Sequence, residues 1–284
     1  MNRPRQLLAF AFTCLSLAAP FAAGEGEKHD LKPKFVKDQV IRYSLEQATT
    51  GAMSQGENKR EAQQSQTFTV SRKVLETSEA GAKVELKVER IVASATMQQM
   101  PEMKFDSNEP SDKDVGNMLA MQFRPMVGSV YTLDVALDGS ISKVTLPENA
   151  GPMANPEAIK TTYAPLFRIR AGETVTAIGD SWEQKEEVSA GPGAPPLEST
   201  AKLTLKEVKD EVASVDFNST IAFKDGATPP GLEVKRADVK GVMTWSLKDG
   251  ALSSMDGVQT MHMVNADMQV DVNSSTKIIV KRLD

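Results

Sequence analysis

Apolar and polar residues alternate with a period of two, interrupted by Asp-Gly pairs, and this pattern restricts the fold of the chain more than any other feature. Val84, Leu86 and Val88 alternate with Glu85, Lys87 and Glu89, and Tyr131, Leu133, Val135 and Leu137 alternate with Thr132, Asp134 and Ala136. Val215, Phe217, Ile221 and Phe223 are interleaved with Ser214, Asp216, Asn218 and Thr220, and Met243, Trp245 and Leu247 with Thr244, Ser246 and Lys248. A strand turns successive side chains to opposite faces, so each run makes one apolar and one polar face, as antiparallel sheets with one wet side require. Asp138-Gly139 separates Leu137 from Ile141, and Asp249-Gly250 separates Leu247 from Leu252. Asp and Gly tolerate positive φ, so both pairs predict tight hairpins. Glu79-Ala80-Gly81 and Lys209-Asp210-Glu211 are placed for two more.

The order of these runs repeats. Asp38 to Tyr43, Thr67 to Val70, Val84 to Val92 and the first Asp-Gly hairpin recur in sequence as Asp180 to Trp182, Ala201 to Leu205, Val212 to Phe223 and the second hairpin. This predicts pseudo-repeats at about 33–150 and 175–284, with Met97 to Arg124 as an insertion in the first. Ser111 is placed to cap a short helix from Asp112 to Phe123, with Val115, Met118, Leu119 and Gln122 on one stripe. Asn155-Pro156-Glu157 opens a second helix that ends near Ala164, before Pro165. The expected fold is mainly β. It is a single domain over residues 25–284 in which a long curved antiparallel sheet from two similar halves forms an open barrel or sandwich with two short helices.

Residues 1–24 read as a signal peptide. Arg3 and Arg5 precede an apolar run from Leu7 to Ala19, and Ala22-Ala23-Gly24 supplies small residues for cleavage after Gly24. The expected location is exported, periplasmic or extracellular, with no membrane span in the mature chain. Cys14 is the only cysteine, and bulky Phe12 near it argues against a lipid anchor. Beyond the leader there is therefore no disulfide, thiol nucleophile or cysteine-bound zinc. The net charge of -5, with no basic patch, argues against nucleic acid as a partner.

Chemistry-bearing motifs are sparse. There are two histidines, His29 and His262, no Gly-x-Ser-x-Gly and no glycine-rich phosphate loop. Asp112-Lys113-Asp114-Val115-Gly116 lacks the third oxygen ligand and the closing acid of a calcium loop. The reading is a protein that is not an enzyme, with no catalytic residues, no metal and no cofactor. Methionine is the unusual residue, with 14 copies, nine of them clustered at 97–103, 118–126 and 261–268. Thioethers beside a histidine can hold monovalent copper. However, on a strand Met261 and Met263 would share one face and leave His262 on the other. Flexible, polarizable methionine also suits an adaptable apolar surface. The candidate ligand-binding residues are Met97, Met100, Met103, Met118, Leu119 and Met121, read as a lid laid over the sheet.

Lys34-Phe35-Val36-Lys37-Asp38-Gln39-Val40-Ile41-Arg42-Tyr43 resembles the opening signature of an uncharacterised family of secreted bacterial β-rich proteins, with Lys37 where that family has glycine. Phe105-Asp106-Ser107 and Gly179-Asp180-Ser181-Trp182 resemble its other signatures. The resemblance implies a secreted β architecture and brings no activity or substrate. In outline the expected fold is also similar to periplasmic lipoprotein carriers. The functional expectation is a non-enzymatic exported protein that binds a hydrophobic or amphipathic ligand, such as a lipid or other apolar small molecule, in an apolar cavity. Two alternatives are a structural or protein-interaction module with an envelope protein as partner, and Met-based copper binding.

Overall fold

The computed structural model describes residues 27–98, 100–148, 155–169, 175–188, 197–224, 228 and 231–283, so the expected leader and its cleavage site lie outside the described residues. In chain order the strands are β1 (Lys28–Asp30), β2 (Val40–Gln55), β3 (Asn58–Ser78), β4 (Gly81–Met97), β5 (Met103–Asp106), β6 (Val130–Ala136) and β7 (Ile141–Thr145). They continue as β8 (Val175–Ala177), β9 (Ser181–Val188), β10 (Leu197–Lys209), β11 (Val212–Phe223), β12 (Leu232–Ser246), β13 (Ala251–Asn265) and β14 (Val270–Leu283). Helix α1 spans Met118–Phe123 and α2 spans Pro156–Tyr163.

One 12-stranded sheet runs in the order β7-β6-β4-β3-β2-β14-β13-β12-β11-β10-β9, with β5 added to β4, and every pairing in it is antiparallel. The path is not closed. The predicted turns are hairpins: Asp138-Gly139 joins β6 to β7, Asp249-Gly250 joins β12 to β13, and residues 79–80 join β3 to β4. Asp210 and Glu211 join β10 to β11 with φ of 50° and 59°, the left-handed backbone a two-residue hairpin needs.

The sheet is curved. Laid flat at about 4.8 Å per strand, β7 and β9 would stand roughly 50 Å apart. Yet the segment Leu166–Arg168 reaches β3, the β6–β7 turn and β9 together. The Leu166 carbonyl accepts from Arg72 Nη1 at 2.7 Å. The Phe167 carbonyl lies 2.3 Å from where a Cβ on Gly139 would stand. Arg168 Nη2 meets Glu186 Oε1 at 2.5 Å. The sheet must therefore curl around this segment, which plugs its lower end, where the β3–β4, β6–β7, β10–β11 and β12–β13 turns gather.

A single core fills that lower end, from Ile141 on β7 through Leu86, Tyr43, Leu252, Trp245 and Leu205 to Trp182 on β9. Of the side chains expected inside, Val84, Leu86, Val88, Leu133, Val135, Val215, Met243 and Trp245 are buried, while Phe217 and Phe223 are half-buried. The exceptions mark where the core ends and the upper sheet begins.

Both helices form, with one change of face. Asn155 caps α2 by accepting from the Glu157 N–H. In the insertion, Ser111–Asp114 is a 3-10 turn, and α1 starts only at Met118, capped by Asn117. Its buried side chains are Leu119, Ala120 and Phe123, whereas Val115 and Met118 are exposed. The helix is shorter than the apolar stripe implied, and Phe123 sets its orientation by packing on Phe68 and Phe105.

Candidate functional site: an uncharged face above the core

Directly paired residues on neighbouring strands point to the same side, so the register sorts the sheet into rows. Above the core, one inner row runs Leu203, Phe217, Gly241, Gly257, Ile278, Gln47, Gln66, Ala93 from β10 to β4. The next runs Ala201, Ser219, Val239, Gln259, Thr276, Thr49, Gln64, Ala95; above it Ala237, Met261, Ser274, Gly51, Ala62 and Met97 form a row from β12 to β4, and Ser199 pairs with Ile221 across β10 and β11. None of these positions carries an ionisable side chain. The outer face at the same height carries Lys202, Asp216, Lys240, Asp256 and Lys277, with ion pairs such as Lys277–Asp256 at 3.8 Å.

The polar groups on the inner side bond to one another. Gln66 Nε2 donates to Gln47 Oε1 at 2.5 Å, Thr49 and Thr276 share a hydroxyl contact of 2.9 Å, and Ser199 and Ser219 one of 2.6 Å. The apolar part lies on β10 to β14, where Phe217, Ile221, Val239, Met261, Met263 and Ile278 are all half-buried. Gly241 and Gly257 face each other here, and a Cβ on Gly257 would come within 2.9 Å of Phe217 Cζ. The two glycines give the Phe217 ring its room; the open cleft of about 550 Å³ beside them is walled mainly by Lys202, Asp216, Lys240, Val242 and Asp256, so it opens on the outer face and is not part of the inner one.

At the floor of the inner face, in the core, stand Arg72 and Tyr43, which are 1% and 0% exposed. Burial pushes the Arg72 pKa down and the Tyr43 pKa up.

The residues proposed from sequence are divided by this geometry. Met97 and Met103 lie on inner-face positions of β4 and β5, and Leu119 is buried beneath α1. Met100, Met118 and Met121 are exposed. Met261 and Met263 share the inner face, while His262 turns outward to Asp271, with Nε2 3.3 Å from Oδ2. The inner-face residues of β10 to β14 were not proposed as a site. Their signal was present in the alternation, but only the strand order joins Phe217 to Ile278 across β12 and β13. Among the described residues, no group of three or more His, Cys, Asp or Glu side chains is placed to hold a metal, and no helix is long and apolar enough to cross a membrane.

Comparison with solved structures supplies a fold relative. A structure of lipid–protein interactions in lipovitellin aligns with a TM-score of 0.50 at 11% identity, covering 87% of this chain and 25% of lipovitellin. The chain thus spans about a quarter of that protein, and the likeness is one of fold. DynF from the dynemicin biosynthesis pathway of Micromonospora chersina aligns with a TM-score of 0.23 at 9% identity, over 99% of this chain and 92% of DynF. No curated protein matches in sequence. In agreement with the resemblance read from the sequence, residues 146–280, from the end of β7 into β14, match a family of unknown function (DUF6263).

Proposed function

We propose that this is an exported, non-enzymatic protein that holds a hydrophobic or amphipathic ligand against the inner face of β10 to β14. The observation that carries the reading is the row pattern: uncharged positions continue above the core, where Phe217, Ile221, Met261 and Ile278 keep partial exposure instead of being covered. Large apolar side chains left accessible together mark binding surfaces. Lipovitellin, whose sheet this one resembles, was solved for its lipid–protein interactions, which is compatible with lipid as the ligand class. Export is supported by the basic, apolar and small-residue sequence of residues 1–24.

The test is titration of the intact protein with a fluorescent long-chain probe, alongside native mass spectrometry of protein purified from its host. Saturable binding is expected. Ile221→Asp with Met261→Asp should weaken it by at least about 10-fold, because a charge in an apolar contact must be desolvated. Met118→Ser with Met121→Ser should leave it unchanged, since both side chains point to solvent. Loss of binding in the second variant alone would move the site to α1. A protein that carries no ligand and binds no probe would sink the reading.

A further inference from the structure

Among the described residues, Arg72 is the only Arg, Lys, Asp or Glu that is buried. Its Nη1 donates to the Leu166 carbonyl at 2.7 Å and its guanidinium carbon lies 5.3 Å from the Phe167 ring centre, but Nε and Nη2 have no partner. Those two N–H groups form the edge of the guanidinium that a carboxylate bridges with two parallel hydrogen bonds. Tyr43 pairs with Val70, and Arg72 pairs with Ile41, so the two are diagonal neighbours on one face, at a spacing of about 7–8 Å. The Tyr43 hydroxyl is also buried and has no partner. The other charged groups that act on both residues are Arg282 and Asp249, which neutralise each other through a 2.5 Å contact. The cluster therefore holds one positive charge without a counterion, and an unmatched buried charge is strongly disfavoured.

We propose that Arg72 and Tyr43 form a buried oxyanion site that takes the carboxylate of a long-chain, fatty-acid-like ligand, whose hydrocarbon chain runs up the uncharged inner face. This rests on the ligand-binding reading above and specifies the head group. From Tyr43 the inner positions of β2 and β14 continue through Leu45, Val280 and Ile278, and six residues of strand from Tyr43 to Thr49 span about 20 Å, the scale of an extended acyl chain. Leu166 and Phe167 cap Arg72 from the other side, so the donors are held in place before the ligand arrives.

The test compares palmitate with methyl palmitate as competitors of a fluorescent probe on the intact protein, in wild type, Arg72→Leu and Tyr43→Phe. Palmitate should bind roughly 10–100-fold more tightly than the ester, the range set by charge-assisted hydrogen bonds. Arg72→Leu should abolish that preference, so that palmitate and its ester compete equally. Tyr43→Phe, which keeps the ring and its packing, should narrow it, so the proposal stays testable should Arg72→Leu fail to fold. Equal binding of acid and ester by wild type overturns the carboxylate site and leaves the ligand-binding reading standing. Binding of neither overturns both. A preference that survives Arg72→Leu also overturns the site. Thermal stabilisation by inorganic phosphate that needs Arg72, without stabilisation by palmitate, would keep the oxyanion site and reject the fatty acid.

Discussion

Asp249 closes the turn between β12 and β13 and also receives the Arg282 guanidinium from β14 at 2.5 Å and the Ser246 hydroxyl at 3.2 Å. The bonded guanidinium, aided by Ser246, holds the Asp249 carboxyl below the usual carboxylate range. A depressed folded pKa stabilises the protein fully above the unfolded value of about 3.9 and is lost as the pH falls through the folded value. Denaturation series between about pH 2 and 7 should therefore show the wild type losing stability below about pH 4. Asp249→Asn should be less stable at neutral pH by about 1–3 kcal/mol and should lose less on acidification. An identical pH slope in both proteins would show that the pair contributes nothing. Arg72 shows how a site residue can be overlooked at this scale. It shares the alternation phase of Val70 and Val74, both buried. A lone arginine between polar neighbours, however, gives no local sign that the opposite face is the wet one.

At the scale of elements, the hairpins were legible because their causes are local. Alternation assigns the faces, and Asp-Gly tolerates the positive φ that the turn demands; Gly139 and Gly250 have φ of 80° and 55°. The insertion was harder to read for a physical reason. Its apolar residues admit more than one helical stripe, and which one is buried depends on Phe68 and Phe105, contributed by β3 and β5. The outcome is a six-residue helix held by Leu119, Ala120 and Phe123 with two methionines in solvent. Phe123→Ala should thus cost about 3–5 kcal/mol, the range for a buried aromatic truncated in a packed core. Met121→Ser should stay within about 0.5 kcal/mol of wild type. Comparable losses in the two variants, measured by urea denaturation, would contradict this orientation of α1. The candidate face was legible only in part. Each strand shows its own uncharged side, but the surface exists only once the register sets Ala201 on β10 in the same row as Ala95 on β4.

In the whole molecule the two runs of strands, β2-β3-β4-β6-β7 and β9-β10-β11-β12-β13, appear in the same order from the centre of the sheet outward on one side and from its edge inward on the other. The pseudo-repeats expected from the sequence rest on that order and on the matching Asp-Gly turns. The halves are not independent bodies, however. β14 of the second half pairs with β2 of the first along its whole length, from Val270–Gln55 to Leu283–Arg42. Their leading segments also cross over. Lys34, ahead of β2, donates through Nζ to the Leu247 carbonyl at 2.7 Å and through its backbone N–H to the Gly250 carbonyl at 3.2 Å, covering the turn of the second half. Phe167, ahead of β9, lies against Gly139 in the turn of the first half. In addition, β1, just ahead of the first half, pairs with β8 at the start of the second. Opening either half would expose the single core that both share and break the β2–β14 ladder at once. Partly unfolded states would then carry most of the energetic cost of full unfolding with little of its entropy gain. The expectation is one cooperative transition, with the calorimetric and van't Hoff enthalpies equal. Shortening β14 from its C-terminal end, which carries Val280 and Arg282, should lower the midpoint of the whole transition instead of splitting it. Two resolved calorimetric peaks, in the intact protein or in the shortened one, would mean that the β2–β14 seam does not couple the halves, and that the inner face is built from two sheets that can open separately.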